Sequence, residues 1–222
     1  MAATIVQHKT GQDQTNTNTV AVTVTSTVAG NLLIVCCANV YATTVTSVTD
    51  DKGNLYAQAD QAVASSATGT LGTDIWYCVN PIGGVTTVTI HFAGVSAAFR
   101  EGWVYEVSGF QNASFDTAGH VNDQVASAST DTGASVTTRS TNGIVVGVVA
   151  TSHAVTANPK AGNEFTSGGD IQPTTGNAAC SLISSTAAAH QPTWTDTTGG
   201  NYCSSTAAFW AEPRLFFPVK LT

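Results

Sequence analysis

Charge is what this chain has least of. Asp, Glu, Lys and Arg make up only 9% of the 222 residues, against about 25% in an average soluble domain. The hydrophobic share, 42%, is ordinary, and Thr, Ser, Ala and Gly fill the difference. Disorder pairs low hydrophobicity with high charge, and a chain of mean hydropathy +0.10 has neither property. Basic residues are the scarcest of all. Seven Lys plus Arg stand against fourteen Asp plus Glu, a net charge of −7, and the isoelectric point is near 4.9. With no basic cluster to displace counterions from a phosphate backbone, nucleic acid is excluded as a partner, and anionic membrane surfaces are disfavoured. Long apolar runs are missing too: the longest, LLIVCCA from Leu32 to Ala38, is strand-length and far short of the roughly 18–20 residues a membrane helix requires. The first nineteen residues, MAATIVQHKTGQDQTNTNT, lack a charged segment followed by an apolar one. The expectation is a soluble chain that stays where it is made or one from which a leader was removed.

Cysteines do not pair off. Cys36, Cys37, Cys78, Cys180 and Cys203 are odd in number, so a disulfide framework is not expected. Adjacent Cys36 and Cys37 should point to opposite faces of a strand, while Cys180 and Cys203 could bridge if their strands are neighbours. No C-x-x-C or H-x3-H spacing suggests zinc. There is no nucleophile elbow, H-E-x-x-H, phosphate loop or dinucleotide fingerprint. His8, His91, His120, His153 and His190 are scattered singly and read as surface or hydrogen-bonded histidines. TDDKGN has the look of a calcium loop, but Lys52 stands where such a loop supplies oxygen; a hairpin turn with Gly53 at positive φ is the plainer reading. No cofactor is called for.

Helix signals are absent as well, and the chain reads as strands throughout. VAVTVTSTV from Val20 to Val28 and GGVTTVTIHF from Gly83 to Phe92 alternate at period two, as a sheet with one face packed does. LLIVCCANV, DIWYCVN, GWVYEVSG and IVVGVVA are short runs rich in β-branched and aromatic residues, suited to strands buried on both sides or at a sandwich core. Gly-, Asn-, Asp- and Pro-rich clusters separate them, as in DDKGN at Asp50 to Asn54 and NPKAGN at Asn158 to Asn163.

An internal repeat organises these strands. The segment from Val24, VTSTVAGNLLIVCC, and the segment from Val136, VTTRSTNGIVVGVV, keep the same order of strand, polar break, apolar strand, Thr/Val strand and G-N turn. The copies run over roughly 20–109 and 132–212, joined by a polar crossover at 110–131; further alignment sets Glu106 opposite Glu212 and Trp103 opposite Phe209. The fold expected is all-β: a jelly-roll-like antiparallel β-sandwich with two pseudo-repeated Greek-key halves, as one domain over 1–222, with tandem small sandwiches as the alternative.

AGNLLIV, VTSVTDDKGNLY, TDIWYCVNPIGGVTTVTIHF and VYEVSG together resemble the Thr/Val-rich β-sandwich modules of bacterial surface proteins and phage virion proteins. The resemblance covers the first half well and the second loosely. It implies a fold and a displayed, interacting role, and it names no ligand.

Three groups of residues invite a functional reading. Glu106 and Glu212 could form a glycoside hydrolase pair if a pseudo-twofold brought them within roughly 5–10 Å in a cleft; otherwise Glu106 is a solvated edge charge or is buried and paired with Arg100 or Arg214. Trp76, Trp103, Trp194 and Trp210 lie in strands and read as core, leaving Tyr41, Tyr56 and Tyr202 as candidates for exposed, sugar-stacking faces. Third, EPRLFFPVKLT places Leu215, Phe216, Phe217, Val219 and Leu221 in an apolar arm at 213–222 that either closes the chain's own sandwich or docks on a neighbour. The expectation is a non-enzymatic assembly protein, a homo-oligomer or part of a larger particle, located in a phage virion as a capsid-decoration, fibre or tail component. Its partner-binding residues are those five of the arm. The alternative is a secreted, cell-surface module that binds glycan.

Overall fold

The computed structural model describes residues 2–13, 15, 17–40, 44–66, 69–94, 99–110, 113–125, 129–139, 141–168 and 176–211. The arm at 213–222, and with it Leu215, Phe216, Phe217, Val219 and Leu221, lies outside the described residues, as do Glu212, Arg214 and Tyr41. Strands make up the described secondary structure. The first half holds β1 (Thr4–Asp13), β2 (Thr19–Thr23), β3 (Leu32–Val40), β4 (Val45–Asp50), β5 (Ala57–Ser66), β6 (Gly69–Val79), β7 (Thr87–Phe92) and β8 (Phe99–Ser108). The second holds β9 (Ala113–Val125), β10 (Asp131–Thr132), β11 (Val136–Thr137), β12 (Gly143–Thr151), β13 (Val155–Ala157), β14 (Thr166–Ser167), β15 (Asn177–Ser184), β16 (Ala189–His190), β17 (Thr193–Asp196) and β18 (Asn201–Ala211).

Sheet order makes the two halves equivalent. A five-stranded sheet β1-β8-β3-β6-β5 and a three-stranded sheet β2-β7-β4 form the first; β9-β18-β12-β15-β14 and β10-β17-β13, with the small ladder β11-β16, form the second. Each half is thus a jelly roll, a Greek-key sandwich in which strands one, eight, three and six share a sheet. GNLLIVCC and NGIVVGVV open the matching central strands, β3 and β12. Both have nine consecutive buried residues, which is why they read as unbroken apolar runs.

The layering explains that burial. The two five-stranded sheets face each other: β3 packs on β12 and β15, β6 on β12 and β18, and β5 on β18 and β9. Leu32, Ile34, Cys36, Trp103 and Tyr105 from one half and Ile144, Val146, Val148, Ala207 and Phe209 from the other share this central core. On the far side of each large sheet, a small sheet covers a core of its own, Leu33, Val35, Cys37, Val88 and Ile90 in the first half and Val145, Val149, Trp194 and Tyr202 in the second. The result is four β-layers with three apolar seams. The central strands β3 and β12 meet each other, but the seam is lopsided: β5 packs on β18 and β9, and among the described residues their counterparts β14, β8 and β1 make no matching set of contacts.

Several expectations need correction. The crossover 110–131 carries β9, which pairs along β18 at a sheet edge; its half-exposed face gives it the polar composition that hid the strand. DDKGN is not a hairpin, because β4 and β5 belong to different sheets. It is an inter-sheet turn in which Gly53 takes φ 74°, and the Asp50 carboxylate accepts from Lys52 N, Asn54 N, Asn54 Nδ2 and Tyr56 Oη. None of the five cysteines is in a disulfide, and all are buried. Cys180 and Cys203 sit on strands flanking β12 and face different cores, Cys203 the central one and Cys180 the outer one, so they do not bridge. Cys36 and Cys37 do face opposite cores. The ladders also revise one equivalence: Leu32 pairs with Val107 and Ile144 with Phe209, which aligns Glu106 with Ala208 and Trp103 with Ser205.

Candidate functional site

Glu106 was the carboxylate with most promise in the sequence, and the fold gives it structural work. It points to the outer face of β8 and is buried, because the loop 24–31 folds over that face. Gln7 Nε2 donates to one carboxylate oxygen at 2.7 Å, while Val28 N and Asn31 Nδ2 donate to the other at 2.7 Å each. Neutral amides, and not Arg100, are therefore the partners found among the described residues. The second half places apolar Ala208 at the matching position, so the pseudo-twofold does not generate a second carboxylate there.

Arg100 is buried on the same face. Its guanidinium lies 4.4 Å from the Phe92 ring centre and donates to the carbonyls of Thr17 and Gly94. Burial draws its pKa down, with Asp13 and Cys37 opposing.

The structure assembles one constellation that sequence spacing concealed. Ser184 Oγ lies 3.0 Å from His190 Nε2, and His190 Nδ1 lies 2.8 Å from Glu164 Oε1. This is the order of nucleophile, base and orienting carboxylate. Accessibility argues against that chemistry: Ser184 is only 2% exposed, and its hydroxyl is also 2.7 Å from the Thr186 carbonyl, to which it can donate. The chain of bonds ties the end of β15, the turn at 185–188 and the loop at 160–165 together. Nothing in the spacing of Glu164, Ser184 and His190 announces this, since they lie on three separate elements.

The aromatic residues fall mostly inside. Trp103 and Trp194 are fully buried, and Tyr202, expected near the surface, is 7% exposed. Its hydroxyl donates to Thr132 O at 3.1 Å. Trp76, Trp210 and Tyr56 are half-buried. The described residues therefore present no row of open aromatic faces for stacking on sugars.

Exposed apolar side chains gather instead at one end of the first jelly roll. Val28, Leu55 and Ile82 are 58%, 90% and 63% exposed. Their loops interlock: Asn54 Nδ2 donates to Ile82 O and Ile82 N to Asn54 Oδ1, while Gly30 N donates to Pro81 O and Gly84 N to Thr27 O. The chain leaves β18 at this same end. Ala211 N bonds Asn142 O, Asn142 Oδ1 accepts from Ala3 N, and the adjoining Thr4 pairs with Ser108 at the end of β8.

No family model matches the chain, and no curated protein matches it. Among solved structures it is similar to the STIV MCP at 8% identity and TM-score 0.30, over 96% of this chain and 97% of that one. It is similar to the major capsid protein P2 from bacteriophage PM2 at 6% identity and TM-score 0.28, over 95% and 100%. The protein YhaK from Escherichia coli is as near in shape, at 9% identity and TM-score 0.31, over 92% and 86%. Scores this low carry no functional argument.

Proposed function

We propose that this chain is a structural protein that assembles with copies of itself or into a larger particle, as a capsid-decoration, fibre or tail component of a phage virion. The observation that carries the reading is the apolar loop end, where Val28, Leu55 and Ile82 stand open to solvent beside the point at which β18 hands over to the arm. Open apolar side chains on hydrogen-bonded neighbouring loops, in a protein with so few charges, are the mark of a face that is covered in use. The five apolar side chains of the arm, Leu215, Phe216, Phe217, Val219 and Leu221, follow β18 in sequence and are of the same chemistry. On this reading the protein acts through protein contacts and performs no catalysis.

Truncation after Glu212 tests it. The sandwich keeps every strand of the described residues, so the melting temperature should hold, while the native mass measured by light scattering falls to that of one chain. A truncated protein that still forms the parent's oligomers overturns the reading, and so does one whose mass is unchanged while its melting temperature drops. A glycan array with selective binding to the full chain would favour the cell-surface module instead.

A further inference from the structure

Two carboxylates in the second half are buried without a cation. Asp131 and Asp196 are 0% and 2% exposed. Asp131 lies opposite Trp194 in the β10–β17 ladder, and Asp196 is two residues beyond Trp194, so all three side chains share the inward face of the small sheet. Both oxygens of Asp131 and Oδ2 of Asp196 are buried with no hydrogen-bond partner; Oδ1 of Asp196 accepts from Gly199 N at 2.8 Å. Among the described residues, no Lys, Arg or His nitrogen pairs with either group. Lys160, the nearby base, donates to Thr130 Oγ1 instead.

The first half shows what this location normally holds. Val20 pairs with Ile90 and Val45 with Phe92, as Asp131 pairs with Trp194 and Val155 with Asp196. Val20, Ile90 and Phe92 are thus the counterparts of Asp131, Trp194 and Asp196. Beneath the first set lies a cation, the Arg100 guanidinium over Phe92; at the matching place on β18 the second half has Tyr202. Two acids have replaced two apolar residues, and the positive charge has gone. Such a change costs several kcal/mol per uncompensated buried ion unless a proton or a cation from outside the chain neutralises it.

We propose that Asp131 and Asp196 form the core of a binding site for a hard divalent cation, calcium by preference. The donors decide the ion class. Beyond the carboxylates, segments 129–132 and 196–200 offer only backbone carbonyls and Ser or Thr hydroxyls. The described residues gather no group of three or more His, Cys, Asp or Glu that could hold a metal ion, so the carboxylate pair is the whole charged ligand set, and with no His or Cys in it a transition metal is disfavoured. Magnesium keeps several of its waters, and a site with no exposed carboxylate surface suits an ion that exchanges its shell for protein oxygens. Burial first, and the neighbouring Asp196 second, push Asp131 up to about 7, a measure of how poorly the metal-free site accepts its second charge. The site stands apart from the apolar end and does not depend on the assembly reading.

Calcium titration of the full chain, stripped with EDTA at pH 7.5, tests the proposal. At about 100-fold excess over Kd, calcium should raise the melting temperature by roughly 5–10 °C, and EDTA should reverse the gain. Terbium should bind at the same place and emit when tryptophan is excited, since Trp194 is the ladder partner of Asp131, and calcium should quench that emission by competition. Asp131→Asn and Asp196→Asn should each abolish both signals. Wild-type protein that shows neither a thermal shift nor terbium emission up to 10 mM calcium or about 0.1 mM terbium overturns the proposal, whatever the variants do; these ceilings are set roughly by the weakest calcium-binding modules. Signals that survive unchanged in both variants place the ion elsewhere and overturn it equally. A stability gain in Asp131→Asn without metal, with wild type blind to calcium, would mean that the pair shares a proton.

Discussion

Buried carboxylates in this protein divide by what meets them. Glu106 accepts from three N–H groups, so both its oxygens have partners. Asp74 accepts from Gln58 and Gln61 at 2.8 and 2.9 Å, yet burial outweighs these bonds and raises it to about 7. Asp131 stands at about 7 for the same leading reason. Both folded-state values exceed the unfolded value of about 4, so each group takes up a proton on folding between pH 4 and 7. Their stabilising contribution is complete below pH 4 and is lost as the pH rises through 7. Asp13 and Asp50 are shifted the other way, because hydrogen bonds from Thr15 and Thr17, and from Asn54 and Lys52, overcome desolvation; their influence falls below pH 4. The metal-free protein should therefore melt at a lower temperature at pH 8 than at pH 5, and Asp131→Asn should flatten part of that slope. Equal melting temperatures at the two pH values, measured in EDTA, would show that these acids ionise freely in the folded state.

At the scale of the element, β12 shows how equivalent strands diverge. Its Gly147 stands where β3 has Val35, and a Cβ at Gly147 would meet Pro192 Cγ at 2.7 Å and Pro192 Cβ at 3.0 Å. The proline ring occupies the space that the valine side chain fills in the other half. Gly147→Ala should cost about 1–3 kcal/mol by overpacking, and Pro192→Ala in the same chain should return much of it. Losses that simply add in chemical denaturation would show that the two sites are independent. The central strands were legible from composition because burial on both faces leaves no polar position to break the run. β9 was not, because on this edge strand His120 and Asn122 reach β5 through hydrogen bonds, to Asp60 and from Val63 N, instead of through apolar side chains. The Asp131–Asp196 pair was equally hidden: sixty-five positions separate the two, and only the β10–β17 ladder brings them onto one face.

The whole molecule is held by the middle seam. Bulk is unequally shared across it: Trp103 and Tyr105 on β8 have Ser205 and Ala207 as counterparts on β18. Tyr105 reaches over Gly168, where a built Cβ would fall 1.9 Å from its hydroxyl. Large side chains of one half thus occupy room left by small ones of the other, which ties the halves to each other more tightly than two identical copies could be tied. Cysteines add no covalent link, since none of the five is in a disulfide and all are buried. Two consequences follow for folding. The full chain should unfold in one transition, coincident by far-UV circular dichroism and by tryptophan fluorescence. Residues 1–111 made alone, although they contain a complete eight-stranded jelly roll, would expose Leu32, Ile34, Cys36, Trp103 and Tyr105 to water. An open face of that size cannot stand in a monomer, so the fragment should be recovered only as a self-associated species or aggregate. A monomeric, cooperatively melting N-terminal half would establish two independent domains and dissolve the argument for a single folding unit.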